Sequence, residues 1–384
     1  MQQTAAKTSK IINLFIKELG KPKQKNITAA VTALIKQEKP TLYKLNLHKQ
    51  RKKPIQKLSF EQNSRRMLNK LGIIPEVFAR AIIATFNITH FELVMDRTNW
   101  KYGNCAYNIL VLSVIWNNIS IPIYWISLDN KGGNSDSSQR IALIDWFVST
   151  FGTQNITHIF ADREFPSEQF FDYLQKHSIK FIFRTKSSIL GTENDKKVKL
   201  NTIFSKLHNM PTQTKCEPHI RRAYGNRLYL SARLNNKNEK VYLISNNYDT
   251  GVFDLYRHRW TIEAMFAKFK TKGLNLESTH LMKQQRVHNL IYLMTIAYSI
   301  FCKLGFIANK IKNIKLKKIK ETNKYRYTPE FSLFNLGFNL LKNLFDNFLC
   351  DSAVVTRQLY HILNYPPEIN VPKRLRIYSI IANF

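Results

Sequence analysis

Three carboxylates stand where they could do chemistry. Asp96 closes the apolar run Leu93-Val94-Met95 and is followed by Arg97-Thr98. Asp162 closes Thr157-His158-Ile159-Phe160-Ala161 and is followed by Arg163-Glu164-Phe165. A carboxylate at the end of a strand points into the space above the sheet edge, where ligands bind. An Asp there can also simply close a turn. If the two strands are neighbours, their carboxylates repel unless a cation lies between them. Mg²⁺ suits such a site, being a hard ion that takes oxygen ligands.

The third carboxylate, Glu263, lies in the segment Tyr256 to Lys270. At ~100° per residue, Tyr256, Arg259, Glu263 and Lys270 fall within a stripe about 60° wide on one helix face. Most of Trp260, Ile262, Met265, Phe266 and Phe269 lie on the flank and back, apolar enough to pack on a sheet. An ordinary i,i+4 pair would account for Arg259 and Glu263. It leaves Tyr256 and Lys270 without a reason.

Elements able to position these residues can be read from periodicity. The apolar, β-branched runs from His90, Tyr107, Ser120, Thr157 and Lys180 predict five strands. Helical stretches over Ser137–Phe151 and Ser167–His177 separate the last three. Three sequential strands predict an antiparallel meander, and the strand–helix–strand steps predict parallel neighbours. The expectation is an α/β fold with a mixed sheet flanked by helices. Residues 183–247 hold further β material, read as a β-rich insertion. A long helical region over about 249–305 follows.

Both ends of the chain are basic. Residues 1–85 hold 18 Lys and Arg against four Glu (18, 38, 61 and 76). Their apolar positions recur at helical spacing: Ile11 to Leu19, then Ala30, Val31, Leu34 and Ile35, then Met67, Leu68 and Leu71. This reads as short helices with basic outer faces, either a DNA-binding region or a solvated cap on the next domain. The stretch Lys310 to Arg326 has eight basic residues and one acidic, Glu321, and the remainder reads as apolar and helical.

The whole chain of 384 residues carries 59 Lys and Arg against 26 Asp and Glu, a net +33. Such an excess implies a polyanionic partner, nucleic acid before a membrane surface. At 44% hydrophobic residues, with 25 Phe and 17 Tyr, the composition excludes a disordered chain. The four Cys (105, 216, 302 and 350) form no CxxC pair, so zinc and disulfide frameworks are not expected. The longest apolar run, Leu290 to Cys302, has 13 residues where a span needs ~20, so no membrane segment is expected. The first residues lack a signal-peptide core. A reduced, cytoplasmic setting follows from these readings.

The four-residue pattern Tyr-x2-Arg-x3-Glu-x6-Lys resembles the hallmark of one subgroup of the DDE transposases of bacterial insertion sequences. Tyr256, Arg259, Glu263 and Lys270 match it at every position. The words at 95–103, 122–135, 160–165 and 270–281 are similar to that subgroup as well, so the resemblance covers about residues 90–290. It implies a ribonuclease-H-like catalytic core over 86–182 and 248–305, interrupted by the insertion at 183–247. Basic helical DNA-binding (1–85) and C-terminal (306–384) regions flank that core. It implies that Asp96, Asp162 and Glu263 hold two Mg²⁺ ions, with Mn²⁺ able to substitute. Arg259, Lys270 and Tyr256 would hold DNA phosphates. The partners implied are double-stranded DNA, both terminal inverted repeats and target, and a second copy of the chain, in a bacterial cytoplasm at the nucleoid.

In relatives the insertion often carries an aromatic that holds a flipped base. All five Trp lie outside 183–247, so Tyr224 or Tyr229 would have to serve. The activity implied is cut-and-paste transposition. A nuclease on the same core that cuts without joining is the first rival, and a DNA-binding relative that has lost catalysis is the second.

Overall fold

A computed structural model describes residues 21–37, 57–128, 133–193, 196–210, 215–216, 218–235, 237–321 and 324–347. The helix expected over Ile11–Leu19 and the apolar tail after Asn347 lie outside the described residues.

In chain order the elements are α1 (Lys21–Gln37), α2 (Lys57–Asn69), α3 (Pro75–Phe86), β1 (Phe91–Tyr102), β2 (Cys105–Trp116), β3 (Ile119–Ser127), α4 (Ser137–Phe151), β4 (Ile156–Ala161), α5 (Glu168–Lys176) and β5 (Phe181–Thr185). There follow β6 (Leu190–Glu193), β7 (Lys196–Lys199), α6 (Leu200–Ile203), β8 (His219–Ala223), β9 (Asn226–Leu234), β10 (Lys240–Ser245), α7 (Val252–Tyr256), α8 (Trp260–Lys270), α9 (Gln284–Ile311), β11 (Leu316–Glu321), β12 (Lys324–Pro329) and α10 (Leu333–Asn347). They divide into two compact units. One is Thr89–Phe266, and the other combines the chain up to Ile88 with the chain from Ala267 on.

The unit Thr89–Phe266 is built on an eight-stranded sheet in the order β3-β2-β1-β4-β5-β10-β9-β8. β1, β2 and β3 are an antiparallel meander. β4 lies parallel to β1, and β5 parallel to β4. This is the mixed, helix-flanked sheet that the order of strands and helices predicts, in the ribonuclease-H-like arrangement that the resemblance implies. Local chemistry explains its turns. Asn117 and Asn118 both have positive φ, 47° and 59°, which turns β2 back onto β3 as a tight hairpin. Asp136 caps α4 in a reciprocal box with Gln139, ending the β3–α4 loop at a defined residue. The core is aromatic: Phe171 of α5 stacks on Phe181 at 4.6 Å, and Phe147 of α4 meets Phe91 edge-on at 5.2 Å.

The β material of 183–247 does not make a sheet of its own. β10 pairs antiparallel with β5, and β9 and β8 continue outward from it. Among the described residues of 183–247, the short ribbon of β6 and β7 is what stands apart from the main sheet.

In the other unit, α9 is the axis. Its 28 residues are long and apolar enough to cross a membrane by length and composition, and 94% of its most apolar window is buried within the fold. The uninterrupted run to Cys302 understates this helix, because apolar residues resume after Lys303. The positions Ala30, Val31, Leu34 and Ile35 of α1, and Met67 and Leu68 of α2, are the buried faces of their helices. Asn289 of α9 donates to the Leu68 carbonyl, and Arg286 to Asn69 at 2.8 Å.

Lys303 sits inside this apolar column. Its ammonium donates to the carbonyl of Thr85 in the last turn of α3, where no helical N–H reaches. Burial pushes the amine down to about 8. A base depressed in the fold is stabilising when neutral and costs stability when charged. Raising the pH from 7 to 10.5 is therefore expected to stabilise the wild type relative to Lys303→Met, by on the order of 2–3 kcal/mol. Denaturant titrations of both proteins at the two pH values check this, and a pH-independent difference would refute it.

Most of the basic stretch 310–326 falls in a β-hairpin over Leu316–Pro329, a strand pair within the C-terminal region expected to be helical. Its residues alternate, with Lys317, Ile319, Tyr325 and Tyr327 at period two, and β-branched and aromatic side chains favour strands.

Candidate functional site

Register brings the two aspartates together. The parallel ladder pairs Met95 of β1 with Ala161 of β4, and there it stops. Asp96 and Asp162 are the next residue on each chain, so they stand side by side on neighbouring strands, which lie ~4.8 Å apart. β5 repeats the pattern: Phe183 pairs with Ala161, and Arg184 comes next. Three adjacent parallel strands thus present Asp, Asp and Arg at one level, where β4 and β5 reach their carboxyl ends and β1 loses its pairing to β4, the edge at which open α/β sheets bind ligands.

Asp96 does not end its strand, as the sequence suggests. β1 runs on to Tyr102, paired only with β2, with Trp100 stacked on Tyr107 at 4.9 Å. Asp96 marks the point where β1 loses β4, so it has a free edge to one side without a chain end.

Arginines organise the surrounding loops. Arg97 grips Glu164 through two bonds of 3.1 Å and donates to Asn108 at 3.1 Å. Strand β1 is thereby tied, one residue past Asp96, to the turn after β4. Arg140 of α4 is buried and donates to the Phe165 carbonyl at 2.9 Å and to Ser135 at 2.9 Å, holding the same turn from α4.

The Tyr256–Lys270 segment is not one continuous α-helix. A single 3₁₀ turn, Arg257–Arg259, separates α7 from α8. At three residues per turn, Arg259 comes directly over Tyr256. Its guanidinium lies 5.9 Å from the Tyr256 ring and 5.0 Å from the Trp260 ring, and Trp260 is itself 58% exposed. The Tyr256 phenol is buried, which raises its pKa, and its hydroxyl donates to the Ala161 carbonyl at 3.3 Å.

Arg259 is the centre of the charge arrangement. Its side chain is almost wholly buried. One nitrogen lies 3.6 Å from the Asp96 carboxylate, and another bonds Glu263. A guanidinium therefore stands between Asp96 and Glu263. Among the described residues, no three His, Cys, Asp or Glu side chains are grouped closely enough to hold a metal ion. The physical reason is this insertion: Glu263, four residues on, turns its carboxylate to Arg259. Lys270 pairs with Glu277 at 3.5 Å, within the unit that begins at Ala267.

The aspartates nevertheless fit a hard cation. Asp162 Oδ1 is buried and accepts no hydrogen bond, its paired cation Arg184 being 4.0 Å away. Burial pushes the Asp96 carboxyl up to about 7, and the charges of Asp162 and Glu164 push the same way. The Arg97 backbone N–H, at 2.7 Å, and the Arg259 guanidinium oppose them. One carboxylate with a bare oxygen beside another that resists ionisation is an arrangement a divalent ion would relieve.

Type and spacing alone do not single out Glu164, Arg97, Arg184 and Arg140. The repeated Asp-Arg words at 96–97 and 162–163 carry a partial signal, although it is Arg97 and not Arg163 that reaches across to Glu164. Of the tyrosines considered for base holding, Tyr224 bonds Thr185 at 2.9 Å and packs on Phe171, while Tyr229 lies against Tyr248 at 5.7 Å.

Comparison with known families matches residues 88–300 to the family described as Transposase DDE domain. Curated proteins yield no match. Among solved structures, the cryo-EM structure of the piggyBac transposase synaptic complex with hairpin DNA is similar over 80% of this chain, at 11% identity and a TM-score of 0.40. The intasome of simian T-cell lymphotropic virus, in complex with the PP2A regulatory subunit B56 gamma, is similar over 44% of this chain, at 16% identity and a TM-score of 0.19. The chain spans 60% and 57% of the length of those two chains.

Proposed function

The chain belongs to the transposase DDE domain family, and we propose on that footing that it is a cut-and-paste DNA transposase, cleaving the ends of an insertion sequence and joining the freed 3′-hydroxyl to target DNA. The observation that carries this reading is the pair Asp96 and Asp162, set side by side where β1 and β4 part, with a bare carboxylate oxygen between strand ends.

Asp96 and Asp162 would hold two Mg²⁺ ions together with Glu263, once Glu263 leaves Arg259. Bound there, the ions would supply Lewis-acid stabilisation of the phosphoryl oxygens and a more acidic attacking water or hydroxyl. The protein's own groups have separate work. Arg259 neutralises Asp96 and Glu263 while DNA is absent, and its planar fork suits a phosphate when DNA is present. Lys270 would add a point charge to the DNA grip. The Arg97–Glu164 clamp holds β1 to the turn that follows Asp162, so that the two aspartates need no reorganisation on binding. The net charge of +33 suits a protein that must hold two DNA ends and a target, with one protomer of a homodimer on each end. The basic residues of 1–85 would read the terminal inverted repeats, and the protein would act at the bacterial nucleoid.

The test is incubation of the purified chain with its flanking element ends, a target duplex and Mg²⁺. Joined product is the expected result. Nicking without joining would mean a nuclease, and neither product would mean a DNA-binding relative without catalysis.

A further inference from the structure

Among the described residues, the hairpin of β11 and β12 is a ribbon without support from a third strand. Leu316 to Lys320 are all exposed, as are Tyr325 at 56% and Tyr327 at 59%. A lone two-stranded ribbon is marginal in water, so one displayed in this way calls for a partner.

The ribbon's chemistry describes that partner. Lys318 faces Tyr327 across the strands, and Lys320 faces Tyr325. With side chains alternating between faces, all four share one side. The Lys318 ammonium lies 3.8 Å from the centre of the Tyr325 ring. The exposed aliphatics are split: Leu316 is on the lysine–tyrosine face and Ile319 is on the other. Neither face is the continuous apolar surface that a membrane would bury. A second copy of the chain is also disfavoured as the occupant, because each copy carries +33. What remains is a polyanion with hydrogen-bond acceptors and a groove wide enough for two strands. The major groove of B-DNA, ~12 Å wide, admits a two-stranded ribbon.

We infer that the ribbon Leu316–Pro329 is a duplex-DNA contact carried by the unit that lacks the carboxylate site, with Lys318 and Lys320 on phosphates and the Tyr325 and Tyr327 hydroxyls as donors to the backbone. The inference rests on reading the chain as a DNA-handling protein. It adds a grip that the Tyr-x2-Arg-x3-Glu-x6-Lys residues do not include. Contacts of this kind position a duplex and carry no base sequence.

The test uses the full chain and a fluorescein-labelled duplex without element ends, titrated by anisotropy from about 50 to 300 mM NaCl. Each phosphate contact contributes ~0.9 to the log–log salt slope. The double substitution Lys318→Ala, Lys320→Ala is expected to lower the slope by about 1.8 and the affinity at 100 mM salt by at least roughly tenfold. Lys318→Arg with Lys320→Arg should restore both. Tyr325→Ala with Tyr327→Ala should weaken binding without changing the slope, because no charge is lost. An unchanged slope in the alanine pair overturns the inference, and if that protein still nicks element ends with Mg²⁺, the transposase reading stands without it. A reduced slope in a protein that never nicks supports the ribbon contact while removing the transposase reading. Loss of binding to phosphatidylserine vesicles with an unchanged DNA slope would assign the ribbon to a membrane surface and overturn the inference.

Discussion

Asp96→Asn is expected to abolish Mg²⁺-dependent nicking and to raise the stability of the metal-free protein at the same time. The two effects have one cause. Asp96 is held among buried atoms beside Asp162 and Glu164, and its carboxyl is pushed up to about 7. An acid raised in this way stabilises the fold fully below its unfolded value near 4, and the contribution is lost as the pH rises through 7. At pH 8 the ionised group is a cost that asparagine does not carry. The stability gap between variant and wild type, measured in EDTA, should open between pH 4 and 7 and stay level above. Its size is on the order of 2–4 kcal/mol, the opposing Arg259 charge being already contained in that raised value. The same charge is what a divalent ion would use. Losing a ligand that supplies several kcal/mol of transition-state stabilisation should slow nicking by about a thousandfold or more. Binding to element ends should persist, because the amide oxygen of the substituted side chain can still accept from the Arg97 N–H. A variant that is both inactive and less stable at pH 8 would place Asp96 in a structural ion pair with Arg259 instead.

The second large effect is expected far from any carboxylate. In the unit built around α9, Gly305 meets α10 at Gly337. A Cβ on Gly305 would overlap the Leu333 carbonyl oxygen, 2.6 Å from its carbon and 3.0 Å from the Gly337 nitrogen. A Cβ on Gly337 would overlap the Phe301 carbonyl in the same way. These are backbone atoms, so no rotamer change can relieve the clash. In an exposed helix, Gly→Ala would stabilise by about 1 kcal/mol. Here the sign should reverse. Gly305→Ala must push the two helices apart and open the aromatic cluster of Phe301, Phe334, Phe338 and Tyr298 around the crossing. Overpacking costs typically ~1–3 kcal/mol and occasionally more, and two backbones in contact place this case at the upper end. A fall in melting temperature of roughly 10 °C is expected. A stabilised Gly305→Ala protein would mean that α9 and α10 do not cross at these glycines.

Much of the unit Thr89–Phe266 could be read along the chain. The strands from His90 to Lys186 and the helices Ser137–Phe151 and Ser167–His177 announce themselves, because hydrophobic period is set within a few residues along the chain. The two aspartates could be singled out for the same reason, each standing where an apolar run gives way to charged residues, and Glu263 by its place on the Tyr256–Lys270 stripe. Their types, their spacing and the basic excess were enough to point to a divalent-cation site and a polyanionic partner, and only the resemblance implied phosphoryl transfer.

What one residue does to another far along the chain was beyond such reading. Asp96 adjoins Asp162 because the β1–β4 ladder has one register. A slip of one residue would send every side chain to the opposite face, and no local signal sets that register. The 3₁₀ turn at Arg257–Arg259 broke the helical phase and put a guanidinium between Asp96 and Glu263, where a continuous helix would have left a plain stripe. Arg184 joined the site only because β5 lies beside β4. The chain by itself determined which elements form and which groups carry charge, since those depend on neighbours in sequence. Only the tertiary structure decided which charges face each other and which are desolvated, because burial and register come from the packing of strands that the sequence keeps far apart.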